Sequence, residues 1–226
     1  MTTTRNSAYG GSFLLERPAQ IFTPERFTQE HRSIAKTTEE FFQREVAPNL
    51  EAILHQDFAR LRQVLRRSAE LGLVAAMVPE EYGGLELDLA SAMIITEGVA
   101  RDASYATSHG AQAGIGALPI VLFGTEDQKK RYVPGLVSAE ILGAYCLTEP
   151  QAGSDAMNLR TRADLSPDGT HYIVNGQKMW ITGGGFADLF TVFAKVNGEH
   201  FTAFLVERTF PRRDHRCGRK EDGVEG

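Results

Sequence analysis

Two stretches hold the groups that could do chemistry. The first runs Tyr145-Cys146-Leu147-Thr148-Glu149-Pro150-Gln151-Ala152-Gly153-Ser154-Asp155. Ala144 to Thr148 is short and mostly apolar, suited to a buried strand, and Pro150 and Gly153 then stop it and turn the backbone. Thr148 puts a hydroxyl at the strand end, while Gly153 and Ser154 offer backbone N–H groups and a second hydroxyl. Uncharged donors grouped in this way can bond the polar edge of a planar ring, or a phosphate. Alone, such a string is more often a strand followed by a polar turn, because short motifs recur by chance. A second stretch, Asn175-Gly176-Gln177-Lys178-Met179-Trp180-Ile181-Thr182, lies downstream and holds the chain's single tryptophan, which by itself reads equally as a core aromatic or as a ligand neighbour. Lys178 reads as a support for its strand rather than a reacting amine.

The elements that must position these residues fall into two classes. Thr23-Pro24-Glu25-Arg26 reads as a helix start, with threonine as cap and proline at the first helical position. Ile34, Thr38, Phe41, Phe42, Glu45 and Val46 follow a period near 3.6, ended by Pro48. Phe58 to Leu71 marks the next helix, closed by Gly72. Ala90 to Val99 reads as a buried helix containing Glu97, and Gly124 to Leu136 as a capped amphipathic one. Between them, His109 reads as structural, and the small residues Gly110 to Ala117 suit close helix packing. From about Gly143 the period changes: residues 144–148, 160–164, 171–174, 178–182, 189–195 and 201–206 read as strands. Asn175-Gly176 is expected to be a hairpin turn, and Asp168-Gly169 another. The expected fold is an all-α N-terminal domain (24–142) followed by a small antiparallel β domain (143–211). Residues 1–23, with an apolar patch at Phe13-Leu14-Leu15, read either as an arm that docks on a partner surface or stays mobile, or as a disordered tail. The opening motif sits at the junction, a common place for ligands.

Composition narrows the classes. A chain of 226 residues, 42% hydrophobic, has material for one large or two small domains. The net charge of -5 argues against a nucleic-acid partner but leaves a phosphate-bearing ligand open. Cys146 and Cys217 make no disulfide framework, and Cys146 reads as a small core residue. No metal site is expected. No run approaches a membrane span and no secretory layout opens the chain, so a cytoplasmic location is expected.

The two blocks, in this order, resemble the flavin-binding signature of the acyl-CoA dehydrogenases, the flavoenzymes of fatty-acid β-oxidation. Pro79-Glu80-Glu81-Tyr82-Gly83-Gly84 and Gly124-Thr125 to Leu136 are similar to two further patterns of that family. The resemblance spans about residues 24–211. It implies FAD as cofactor, a fatty acyl-CoA as substrate and an electron-transfer flavoprotein as electron acceptor. Tyr145, Leu147 and Thr148 would line the flavin, with Thr148 bonding near its reactive nitrogen. Gly153 and Ser154 would hold the FAD diphosphate or the acyl-CoA pantetheine, Ser154 being the better substrate contact. Trp180 would pack on one flavin face, and Ile181 and Thr182 would bond its edge. The region around Gly110 to Ala117 would help wall the acyl pocket.

The ending departs from the pattern. Family members continue into a C-terminal helical bundle that carries the catalytic glutamate, contributes to FAD binding and forms the oligomer interface. No catalytic base is therefore assigned here, and a homo-oligomer is expected of the full-length protein. Residues 212–226 can be encoded so that deleting one C from the opening run restores P-G-V-T-I-G-A-E-E-K-K-M-G-L-K-G, a family-like string. An out-of-frame tail on a truncated, inactive enzyme is thus expected. The alternatives are an acyl-CoA oxidase or nitroalkane oxidase on the same scaffold, or a non-catalytic flavin or acyl-CoA binding fragment.

Overall fold

The computed structural model describes residues 22–211. The apolar patch of the arm and the tail from Arg212 lie outside them. The expected start at Thr23-Pro24 yields only a single 3-10 turn, Pro24–Arg26. The first α-helix, α1 (Gln29–Phe41), begins instead at Thr28, whose hydroxyl accepts from the His31 amide while His31 Nδ1 accepts from the Thr28 amide. This reciprocal box satisfies two N–H groups that the helix end would otherwise strand. The chain winds on through a π-helical turn, Phe42–Val46, and a 3-10 turn, Ala47–Asn49, into α2 (Leu50–Leu54). Pro48 does not end this segment. It lies at the start of a short turn, where a missing N–H costs no ladder bond.

Asp57 caps α3 (Phe58–Glu70), and Gly72 leaves it at φ 75°, a conformation glycine adopts without strain. Asp88 and Asp102 cap α4 (Leu89–Val99) and α5 (Ala103–Gly110). A second π-helical turn, Ala111–Gly116, joins α5 to α6 (Leu118–Phe123), and Thr125 with Gln128 caps α7 (Glu126–Val137). Val46, Val64, Leu65, Val99 and Tyr105 form the fully buried centre of this domain, and Phe186 of the β domain packs against it. A second apolar cluster joins Tyr82, Ile120 and Leu136 to Leu189, so the two domains share core rather than merely touch.

The sheet is mixed, not antiparallel. Its axis is β4 (Leu189–Val196). β5 (His200–Glu207) pairs antiparallel along the whole of one edge. The other edge is shared end to end: β1 (Gly143–Cys146) pairs parallel with Leu189–Val192, and β2 (Arg162–Leu165) pairs parallel with Lys195–Val196. β3 (Tyr172–Asn175) closes an antiparallel hairpin on β2 across Asp168-Gly169. Residues 178–182 are loop, not strand. Without that reversal the chain crosses over after β3 and brings β4 back in the direction of β1 and β2. The type I′ signature belongs elsewhere too: Asn197 and Gly198, at φ 53° and 81°, turn β4 into β5. Gly176 is needed for close approach, since a Cβ there would lie 2.2 Å from Thr161 Oγ1.

Candidate functional site

The shared edge of β4 makes the site. β1 and β2 act as one strand interrupted by residues 147–161, which leave the sheet where β1 ends and return where β2 begins. Glu149 closes the neck of this excursion. Its backbone exchanges two hydrogen bonds with Ala152, making a tight turn around Pro150-Gln151. Its side chain, only 3% exposed, accepts from the amides of Arg160 (2.6 Å) and Thr161 (3.0 Å), from the Thr161 hydroxyl and from Gln151 Nε2.

Lys178 completes the arrangement and joins the second block to the first. Its Nζ donates to Glu149 Oε1 (2.8 Å) and to the Leu147 carbonyl (3.0 Å), while the Met179 amide donates to the Thr148 carbonyl (3.0 Å). Burial pushes the Glu149 carboxyl upward, but Lys178, Thr161 and the two amides outweigh it and bring it to about 2. Glu149 is therefore a permanent anion taken up by its own neighbours, not an available base. Cys146 lies buried, and burial raises its thiol to about 11 despite Lys178 nearby, so it packs as a neutral core residue.

This framework presents the residues singled out from sequence. Tyr145 packs tilted against Phe193 of β4, the ring centroids 4.8 Å apart, and Leu147 and Thr148 are half-buried at the end of β1. Gly153 and Ser154 are exposed just past the Glu149–Ala152 turn, and a Cβ at Gly153 would meet nothing within 4 Å. Ile181 and Thr182 are partly covered in the loop after Trp180. Trp180 itself is 83% exposed and held at φ 57°. A bulky residue in the left-handed region costs about 1–3 kcal/mol, and an indole left in water forgoes burial of a large apolar face. Among the described residues, no packing contact repays either cost. The Met179–Thr148 bond fixes Trp180 beside Thr148, so one flat apolar face and a set of uncharged donors are offered together. That suits a planar, polar-edged ring, and an FAD molecule fits this donor set.

Sequence reasoning missed three positioning residues. Gln112, 2% exposed, donates to the Leu136 and Ile141 carbonyls (2.8 and 2.9 Å) and accepts from the Gly143 amide (2.9 Å). It thereby sets β1 against the π-helical turn, where Gly116 and Gly143 meet without room for a Cβ. Arg62 of α3 reaches across the domains, bidentate to Asp188 (2.8 and 3.1 Å) and to the Phe186 carbonyl (3.0 Å). Arg208 donates to the Ala187 and Gly184 carbonyls. The loop carrying Trp180-Ile181-Thr182 is thus pinned from both sides. Only tertiary contact reveals these roles. His109 is structural as expected: it is 3% exposed, bonds Ser68 Oγ at 3.1 Å, and burial lowers it to about 4.

Comparison with known proteins gives the family. Residues 28–140 match the acyl-CoA dehydrogenase N-terminal domain and residues 144–225 the middle domain. The chain belongs to the acyl-CoA dehydrogenase family. It is 49% identical over 219 residues to a probable acyl-CoA dehydrogenase of Bacillus subtilis, covering 96% of this chain and 37% of that protein. That alignment therefore takes in Phe13-Leu14-Leu15. It is 44% identical over 165 residues to the mitochondrial very long-chain specific acyl-CoA dehydrogenase of Macaca fascicularis, covering 69% of this chain and 25% of that one. A crystal structure of an acyl-CoA dehydrogenase from Bacillus anthracis complexed with FAD superposes with a TM-score of 0.84 at 53% identity, over 88% of this chain and 35% of that one. The chain thus spans little more than a third of these relatives at most. The helical domain followed by a small sheet domain is the fold of this family. Among the described residues, no helix is long and apolar enough to cross a membrane, and no group of His, Cys, Asp or Glu could hold a metal.

Proposed function

We propose that this chain supplies the flavin-binding and substrate-positioning part of an FAD-dependent acyl-CoA dehydrogenase that acts on a fatty acyl-CoA in β-oxidation. The observation that carries the reading is Trp180, exposed and strained beside Thr148, with Gly153 and Ser154 open nearby. Trp180 would cover one face of the flavin. Tyr145, Leu147 and Thr148 would line it, Ile181 and Thr182 would bond its edge, and Gly153 would let a diphosphate approach the backbone. When bound, the FAD would supply the acceptor for hydride leaving the acyl β-carbon. Ser154 would hold the pantetheine, so that binding energy remote from the reacting carbons orients them.

Gly110, the last residue of α5, and Gly114, in the π-helical turn packed on β1, stand four residues apart, and neither would have a neighbour within 4 Å of an added Cβ. Such bare backbone favours a long acyl chain lying against it, in keeping with the likeness to a very long-chain specific enzyme. No described carboxylate is assigned as the proton-abstracting base, and this chain alone is expected to bind without turning over. Electron transfer to a flavoprotein, a cytoplasmic location and a homo-oligomeric full-length enzyme complete the proposal.

The test is the visible spectrum of the purified protein titrated with FAD and then with a fatty acyl-CoA. Covering roughly 80 Å² of indole at about 25 cal/mol per Å² contributes about 2 kcal/mol, so Trp180→Ala should weaken FAD binding roughly thirtyfold. FAD binding that is absent, or indifferent to Trp180→Ala, would overturn the assignment. A bound flavin that bleaches on adding acyl-CoA would overturn the expected lack of turnover.

A further inference from the structure

Away from the flavin-facing surface, the helical domain carries an apolar groove of about 630 Å³ between the start of the described chain and α4. Phe22, Pro24 and Phe27 form one wall, and Leu89, Met93 and Ile94 the other. Leu89 is 67% exposed and Met93 61%, on a helix that buries Ser91, Ile94, Ile95 and Val99. Apolar side chains exposed side by side in a groove mark a surface that something covers. The first wall is firmly built: the rings of Phe22 and Phe27 pack on each other and on His31, and His31 in turn bonds Asp88 at the start of α4.

We propose that the occupant is the chain's own N-terminal segment, with Phe13-Leu14-Leu15 seated on Leu89 and Met93. The segment enters the described structure through Phe22, which is itself part of the groove, so no long loop has to close before the contact forms. Phe13 stands nine residues before Phe22 and reaches at most about 30 Å in extended form. The whole of α4, 11 residues, is only about 16 Å long, so the triad reaches every point of the groove. Within residues 1–20 this triad is the one run of three large apolar side chains. Charge complements it: Arg17 follows the triad by two residues, and Glu97, which lines the groove, has no ion pair among the described residues. Glu16 stands against this, so the apolar contact carries the docking and Arg17 orients it. The inference is independent of the reaction proposed above.

Methionine oxidation reads the groove directly, because its rate follows exposure. Met93 and Met157 are equally exposed in the described structure, at 61% and 62%, and Met157 lies in the β domain as an internal reference. The full chain is treated with dilute hydrogen peroxide, and peptides bearing each methionine are followed by mass spectrometry. Met93 should oxidise roughly threefold or more slowly than Met157, and the double variant Phe13→Asp, Leu14→Asp should bring the two rates together. Far-ultraviolet circular dichroism of the variant checks that the helical domain is retained, and Arg17→Glu should give an intermediate rate. Equal rates in the full chain would overturn the proposal. So would protection of Met93 that survives the double variant, and protection that grows with protein concentration would assign the groove to a second copy.

Discussion

Removing the ammonium of Lys178 should loosen the site without touching any group that faces the ligand. Lys178→Met keeps the length and apolar stem of the side chain but leaves Glu149 buried as an anion. Glu149 stands at about 2 in the folded chain against an ordinary 4.5, although burial alone would raise it. A shift of that size is worth about 3 kcal/mol of stability at neutral pH. Because the folded value is the lower one, this stability is present above 4.5 and is lost as pH falls toward 2. Breaking a buried pair typically costs 3–5 kcal/mol, but here the Thr161 hydroxyl, two amides and Gln151 still hold the carboxylate. A loss of about 2 kcal/mol is expected, with the acid limb of stability moved to higher pH.

Denaturant unfolding followed by circular dichroism at pH 7 and pH 4 reads the first effect. Hydrogen exchange at the Met179 amide, which is bonded to the Thr148 carbonyl, reads the local one. FAD affinity should fall with it, since Met179 fixes Trp180. Glu149→Gln alone strands the Lys178 charge and turns an amide N–H toward other donors, whereas the double variant strands no charge. The pair should therefore cost less than the sum of the singles. Strict additivity, or an unchanged Met179 exchange rate in Lys178→Met, would refute the claim that this pair ties the two blocks together.

Three further outcomes are expected. His109 is buried neutral, at about 4 against an ordinary 6.5, so the unfolded chain binds the extra proton between those values. Stability should decline as pH falls through that window by about 3 kcal/mol in all, and His109→Gln should flatten the decline in acid titrations of unfolding. Gly176→Ala drives a Cβ into Thr161 and should cost about 2 kcal/mol or more, whereas Gly153→Ala meets open space and should leave the stability of the ligand-free protein unchanged while weakening FAD binding. Paired melting and flavin titration separate the two glycines. Arg62→Met should cost only about 1 kcal/mol, the Arg62–Asp188 pair being part-exposed, yet it should raise hydrogen exchange across residues 183–188.

What could be read from sequence follows from how local each signal is. The change from helical to alternating period at Gly143 is a property of neighbours in the chain, and the domain order followed from it. The cap at Thr125 and the close of α3 at Gly72 are equally local. The hairpin turn was placed at the wrong asparagine–glycine pair, because Asn175-Gly176 and Asn197-Gly198 are the same dipeptide. Only the strands that flank Asn197 on both sides make it a turn between paired strands; Gly176 is there because Thr161 lies against it. The run Lys178 to Thr182 alternates like a strand and the outer edge of β3 is open to it, yet Lys178 is directed to Glu149 and Leu147 and the Met179 amide to the Thr148 carbonyl, which hold the run against the first block instead. That capture by a block some thirty residues earlier is a tertiary fact. The same holds for Gln112 and Arg62, polar residues on helices whose partners lie 24 to 126 positions away.

The topology also explains why the two blocks lie so far apart in sequence and still act together. A continuous strand opposite β4 would fill the whole edge and leave no gap from which a loop could emerge. Dividing that edge between β1 and β2 opens such a gap, and the excursion of residues 147–161 issues from it beside the chain returning from β3. Glu149 then serves both sides of the neck through its amide bonds to Arg160 and Thr161, and binds the returning chain through Lys178. Gly153 and Ser154 remain exposed beside the half-buried Thr148, while the carboxylate of Glu149, which stands between them in the chain, is committed inward. A surface so arranged is rigid before any ligand arrives, and the ordering cost of binding falls mainly on the ligand.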